Sequence, residues 1–214
     1  MSEILQQLLE NDPFPLTQSA QSKVMAFYRL LLKENGSQNL TRLFSPSDFY
    51  FGHLQDVREL LKTGWVKYPA LDLGSGAGIP GLLSALVEEG VWILAESEVR
   101  KAEYLKHAVQ FLALDLDVSV YSGRAEEFLL QKKVSSIVIR AVGSISRIYS
   151  WLRRSSTWND LILLKGPKWD SEWEEFNQTK FRKELILKSI HAYTVGPENK
   201  IRKIILLTRS CLNK

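Results

Sequence analysis

One cysteine, Cys211, and three widely spaced histidines, His53, His107 and His191, leave little with which to build a metal site in 214 residues. A lone cysteine excludes an intramolecular disulfide and a thiolate cluster, and no two histidines stand at the short spacing of a zinc or iron site. The chain also lacks any apolar run near the roughly 20 residues needed to cross a bilayer. It has no internal repeat and no low-complexity tract, and Met1-Ser2-Glu3-Ile4 lacks the basic start of a secretion signal. The expectation is a soluble, cytoplasmic, metal-free protein, and a monomer, because neither a heptad pattern nor a long exposed apolar strand is present.

What is present is unevenly charged. Residues 1–70 carry seven basic and seven acidic side chains, residues 71–139 six and ten, and residues 140–214 fifteen and seven. A mildly negative middle joined to a strongly positive C-terminal third points to a polyanion met by the latter, unless these cations are ordinary solvated surface.

Residues 1–65 read as a helical cap. Val24, Phe27, Tyr28, Leu31 and Leu32 recur at helical spacing before Asn35-Gly36, and a second helix starts after Ser45-Pro46 and runs toward Lys62 with Tyr50, Leu54, Val57 and Leu61 inward. From residue 66 onward short apolar runs alternate with amphipathic segments, the pattern of parallel strands covered on both faces. Strands are expected near 70–73, 91–95, 117–121, 135–139 and 160–164, with helices near 80–88, 98–114, 124–131, 144–154 and 169–182. Residues 184–195 and 201–208 then form an edge hairpin through Gly196-Pro197-Glu198-Asn199. The sum is a doubly wound α/β domain over 66–214 with a mostly parallel seven-stranded sheet, whose ligands belong at the C-terminal ends of the strands.

The densest signal is Leu-Asp-Leu-Gly-Ser-Gly-Ala-Gly-Ile-Pro-Gly from Leu71 to Gly81. Glycines at a strand-to-helix turn let a ligand approach the backbone, and Pro80 is suited to start a helix whose N–H groups face that ligand. The spacing from Gly76 to Gly81 also satisfies G-x-G-x-x-G, so a dinucleotide used by an NAD(P)-dependent oxidoreductase competes with S-adenosylmethionine. Glu96, at the end of the second strand, can accept ribose hydroxyls in either case. Asp72 tips the balance, because a carboxylate beside the glycines opposes a pyrophosphate and attracts a sulfonium.

Transfer from a sulfonium is an in-line displacement that chiefly requires alignment. Enzymes acting on exocyclic base amines usually carry an Asn/Asp-Pro-Pro-aromatic turn where this chain has Arg140-Ala141-Val142-Gly143, and carbon acceptors commonly need a cysteine nucleophile. Guanine N7 has a free in-plane lone pair and needs neither device nor a base. Arg140 can then bond the base's O6 or pack by the cofactor.

Several ordered segments together resemble the bacterial small-subunit ribosomal RNA guanine-N7 methyltransferases, the glucose-inhibited division protein B family, over nearly the whole chain. They are Asn39-Leu40-Thr41, His53 with Asp56, Leu71 to Gly81, Glu96-Ser97 with Arg100-Lys101, Ser122 to Phe128, Ile139-Arg140-Ala141 and Leu164-Lys165-Gly166. The resemblance implies methyl transfer from S-adenosylmethionine to N7 of a guanine in 16S ribosomal RNA. It places cofactor contacts on Gly74, Ile79, Ala125, Glu126 and Arg140, with Glu96 on the ribose, alongside Asp72, Gly76 and Gly78. The chain departs from the family pattern at Gly52 and Val57, where Arg and Ser are usual, and at Glu96, where Asp is usual.

His53, Arg140 and Lys165 are the candidates for the catalytic face. Arg147, Arg153, Arg154, Lys168, Arg202 and Lys203 are the RNA candidates. Trp151, Trp158, Trp169 and Trp173 lie among these cations and could stack on bases or pack inward.

Overall fold

A computed structural model describes residues 2–210; Cys211 lies outside the described residues. The seven-stranded sheet has the order β3-β2-β1-β4-β5-β7-β6. Its strands are β1 (Ala70–Leu73), β2 (Trp92–Glu96), β3 (Val118–Ser122), β4 (Ser136–Arg140), β5 (Asp160–Lys165), β6 (Leu185–Val195) and β7 (Lys200–Arg209). The first five are mutually parallel, and β7 runs antiparallel between β5 and β6. The order in which strands are added to the sheet reverses between β1 and β4, so a crevice opens above their C-terminal ends. Strands β1 and β2 are buried along their whole length, including the carboxylates Asp72 within β1 and Glu96 at the end of β2, whose apolar neighbours are covered on both faces.

Helices α5 (Gly81–Val87), α6 (Val99–Phe111), α7 (Ala125–Gln131), α8 (Ile145–Leu152) and α9 (Trp169–Asn177) cover the two faces. Ala102, Leu105, Val109 and Leu112 turn inward from the α6 region as their spacing predicts. The N-terminal layer comprises α1 (Ser2–Glu10), α2 (Gln18–Gln38), α3 (Pro46–Phe49), a π-helical turn (Tyr50–Leu54) and α4 (Gln55–Lys62). This layer has no core of its own: Leu5, Val24, Phe27, Phe49 and Leu54 join Leu82, Leu94 and Leu105 in one apolar cluster on a single sheet face.

Helix α9 stops at Asn177, short of the expected 182, and three other local readings differ from the sequence expectation. Helix α2 runs through Gly36 to Gln38 and ends at a left-handed Asn39, because the Asn39 N–H still reaches Asn35 O and the Asn35 side chain accepts the Thr41 N–H. The second N-terminal helix is interrupted by the π turn, which shifts its phase so that Leu60, not Leu61, is fully buried. Pro80 caps α5 from outside, and Gly81 is the first helical residue.

Candidate active site

The glycine turn presents few free donors. The N–H groups of Gly74 and Ser75 bond Ala95 O, those of Gly78 and Ile79 bond Ser75 O, Gly76 N–H bonds Glu96 Oε2 at 2.9 Å, and Gly81 N–H bonds Asp72 Oδ2 at 2.9 Å. The expected row of helix N–H groups facing a ligand is therefore corrected: the first of them is taken by Asp72. A pyrophosphate needs such N–H groups and is repelled by carboxylates, so the turn fits a dinucleotide poorly.

It fits a cationic adenosine compound better. Asp72 is 1% exposed, its Oδ1 is buried without a partner, and burial pushes its carboxyl up to about 7 against the pull of the Gly81 and Ser75 bonds. Gly74, Gly76 and Gly78 all have positive φ. A Cβ at Gly76 would meet nothing nearer than Gly74 O at 3.8 Å, so open space lies over that residue. Glu96 Oε1 accepts the Glu98 N–H at 2.8 Å, which fixes the carboxylate at the end of β2. Gly123 N–H bonds Glu96 O at 2.9 Å and draws the loop ahead of α7 alongside, with Ala125 buried and Glu126 half-buried. Ile79 is buried.

Arg140, the last residue of β4, organises the neighbouring site. Its Nη2 donates to His53 Nδ1 at 2.7 Å, and the other ring nitrogen, Nε2, donates to Thr41 Oγ1 at 3.1 Å. Burial first, and the Arg140 cation second, push His53 down to about 3, so the ring is neutral and Nδ1 is a bare acceptor. Arg140 Nη1 lies 3.6 Å from Asp56 Oδ2 and has no hydrogen-bond partner, while Asp56 Oδ1 accepts the Tyr193 hydroxyl at 2.8 Å. The π turn brings His53 here, and Gly52 beside it admits Leu43, whose Cδ1 lies 2.9 Å from where a Cβ would stand. An Arg at this position, usual in the family pattern, would have to displace Leu43.

Arg140 and Asp56 open on a cavity of about 610 Å³ whose wall also includes Leu43, Lys165, Tyr193 and Arg202; His53, expected on the catalytic face, is buried behind Arg140 and does not line it. Lys165 reaches it, but its Nζ already donates to Gly143 O and to Glu172, both at 2.7 Å. Lys168 and Arg202 also line the cavity, and the exposed Arg147 stands at its rim, with its Cδ 3.4 Å from the Cβ position of Gly143. Lys203 is paired with Asp170 at 2.7 Å. Arg153 and Arg154 are not brought here: they follow the C-terminal end of α8, and Arg153 stacks on Phe181 at 4.6 Å. Trp158 and Trp169 are 1% exposed core residues, and Trp173 stacks on Trp169 rather than standing free.

Tyr193 escaped the sequence reading altogether, and Asp56 entered it only inside a motif. The inward alternation of β6 was the one available signal for Tyr193, and its partner on α4 lies 137 residues away in the chain. Among the described residues no group of His, Cys, Asp and Glu could hold a metal ion, and no helix is long and apolar enough to cross a membrane.

A seven-stranded sheet with one antiparallel strand inserted near its edge, and a carboxylate-flanked glycine turn after β1, define a Rossmann-like methyltransferase. The fold is similar to that of M. capricolum TrmK, solved with S-adenosyl-homocysteine, at 12% identity and TM-score 0.54 over 72% of this chain and 68% of that one. More particularly, the chain belongs to the GidB family, described as rRNA small subunit methyltransferase G, whose model matches residues 20–203. It is 33% identical to the Ribosomal RNA small subunit methyltransferase G of Rhodopirellula baltica over 85% of this chain and 77% of that protein. The counterpart from Nitrosomonas europaea is 32% identical over 88% and 86%, respectively.

Proposed function

We infer that the chain transfers a methyl group from S-adenosylmethionine to N7 of a guanine in 16S ribosomal RNA. The observation that carries this is the cradle between β1 and β2: two carboxylates, occupied turn amides and open space over Gly76, with Gly74 packed against Val142 in the loop that follows Arg140. S-adenosylmethionine, when bound, supplies an electrophilic methyl on a sulfonium.

Asp72 supplies negative potential to the cradle, Glu96 accepts from the ribose, and Ala125 and Glu126 flank the adenine. Gly74, Gly76, Gly78 and Ile79 shape the floor. N7 carries no proton, so no side chain has to act as base, and a histidine whose basicity is suppressed first by burial and then by Arg140 suits that requirement. His53 instead orients Arg140, which faces the base. Lys165 acts through Gly143, holding the strained Ala141-Val142-Gly143 segment in place, with Ala141 at φ 58. Lys168, Arg202 and Arg147 meet RNA phosphates at the cavity rim, and Lys203 adds to them when Asp170 releases it.

Residues 1–65 serve as the cap closing one wall of the substrate cavity, and 66–214 as the catalytic domain. The enzyme works as a metal-free cytoplasmic monomer. Calorimetric titration with S-adenosylhomocysteine and with NAD tests the cofactor assignment: saturable binding of the first and none of the second is expected, and the reverse would return the oxidoreductase reading.

A further inference from the structure

Methyl transfer to N7 needs no base, yet a buried carboxylate lines the substrate cavity. Asp56 is 2% exposed, and its Oδ1 accepts one hydrogen bond, from Tyr193. Its Oδ2, on the same cavity wall, stands beyond hydrogen-bond distance of Arg140 Nη1, which is itself buried without an acceptor. An acceptor and a donor with unfilled capacity thus lie side by side. Leaving a buried charged pair incompletely bonded is costly, and a ligand offering donors to the carboxylate and an acceptor to the arginine removes that cost.

The two purines differ in this respect. Guanine sets its O6 acceptor beside the N1–H donor and the N2 amine, whereas adenine sets an N6 donor beside a bare N1. We propose that Asp56, with Arg140 beside it, determines guanine specificity: the carboxylate accepts the N1–H and the N2 amine, and Arg140 Nη1 donates to O6. Adenine would face the arginine with its amine and the carboxylate with a lone pair, two repulsive contacts in place of two bonds.

The placement agrees with the chemistry. Tyr193 holds Asp56 on the β6 side of the cavity, while the glycine turn follows β1 on the other side of β4. A base whose N1–N2 edge turns toward Asp56 turns its opposite, N7-bearing edge toward the cofactor cradle. Burial raises the Asp56 carboxyl, and the Arg140 cation and the Tyr193 hydroxyl oppose that rise.

The proposal rests on guanine-N7 methylation, and one competition assay separates the two claims. 16S ribosomal RNA is transcribed from an equal mixture of GTP and ITP, methylated, digested, and its 7-methylguanosine and 7-methylinosine quantified by mass spectrometry. Inosine lacks only the N2 amine, and both products arise from one RNA pool. The unaltered enzyme is expected to favour guanosine about tenfold or more over its incorporation. In Asp56→Asn the ratio should fall toward incorporation, because an amide presents a donor to a donor, and in Asp56→Glu, which keeps the charge but moves it, the ratio should also fall.

Loss of both products in proportion, with the ratio unchanged in either variant, would reduce Asp56 to a structural residue and overturn the proposal. So would an unaltered enzyme that does not discriminate. No methylated purine nucleoside from the unaltered enzyme would instead remove the underlying methyltransferase reading.

Discussion

Arg140 Nη2 and His53 Nδ1 meet at 2.7 Å through a bond that only an unprotonated imidazole can accept. The guanidinium is always charged, so the pair holds one cation rather than two, and the neutral ring fixes where that cation points. Removing the ring in His53→Ala leaves a second donor of Arg140 unpaired next to Nη1. The expected result is a fall in kcat of about tenfold or more, as for a misplaced catalytic group, with S-adenosylhomocysteine affinity little changed. Steady-state kinetics and calorimetry check this split.

The same bond has a signature in pH. His53 stands at about 3 in the folded state against 6.5 for an ordinary imidazole. The unfolded chain therefore binds the extra proton first, and the stability His53 contributes is complete above pH 6.5 and lost as pH falls from 6.5 toward 3. Urea unfolding of the parent and of His53→Ala across that window should show a shallower acid decline in the variant. The parent's turnover should show no step from a titrating histidine between about pH 5 and 8.

Asp72 behaves in the opposite sense. Its carboxyl stands at about 7 folded against 3.8 ordinarily, so its relative stabilising effect is present below pH 3.8 and lost as pH rises through 7. Asp72→Asn keeps an acceptor for Gly81 N–H and removes the buried charge. It should be more stable than the parent at pH 8, on the order of a few kcal/mol at most, with the gain vanishing in acid, while cofactor binding weakens. A variant that binds cofactor as tightly as the parent would take Asp72 out of the cradle.

Two glycines of the turn should separate folding from binding. A Cβ at Gly81 would stand 2.7 Å from both Asp72 Cβ and Leu94 Cδ2, so Gly81→Ala should cost about 1–3 kcal/mol by overpacking. A Cβ at Gly76 meets only open space, and Gly76→Ala should cost roughly 1–2 kcal/mol from its left-handed backbone. The second variant, though nearer to native stability, should lose more cofactor affinity, which thermal melts with and without S-adenosylhomocysteine resolve.

Much of this architecture was legible in the chain, and the reason is local. Strand β1 falls at 70–73 as expected because a short, mostly apolar run ending in a glycine turn is buried on both faces, and the hairpin from β6 to β7 follows from Gly196 and Asn199, both at positive φ in the structure. What stayed hidden was set by distance in sequence or by backbone bonding. Nothing in a one-dimensional pattern marks a π turn at 50–54, joins Asp56 to Tyr193, or reveals that the turn's own strands consume its N–H groups. Composition likewise grouped Arg147, Arg153 and Arg154, although nearly two turns of α8 set the last two at the far end from the cavity.

That division predicts a salt dependence. Replacing Lys168 and Arg202 by Ala should lower RNA affinity and flatten the slope of log affinity against log salt by about one unit per lost phosphate contact. Replacing Arg153 and Arg154 should leave that slope unchanged. Filter binding of 16S ribosomal RNA at several ionic strengths distinguishes the two pairs.

The most direct measurement is methylation of 16S ribosomal RNA by the purified chain with labelled S-adenosylmethionine, followed by N7-specific strand scission to map the product. One guanine cleaved, with cleavage dependent on enzyme and methyl donor and abolished in Gly76→Ala, is the predicted result. Label on another atom or on no nucleotide, from a folded enzyme that binds S-adenosylhomocysteine, would contradict the account.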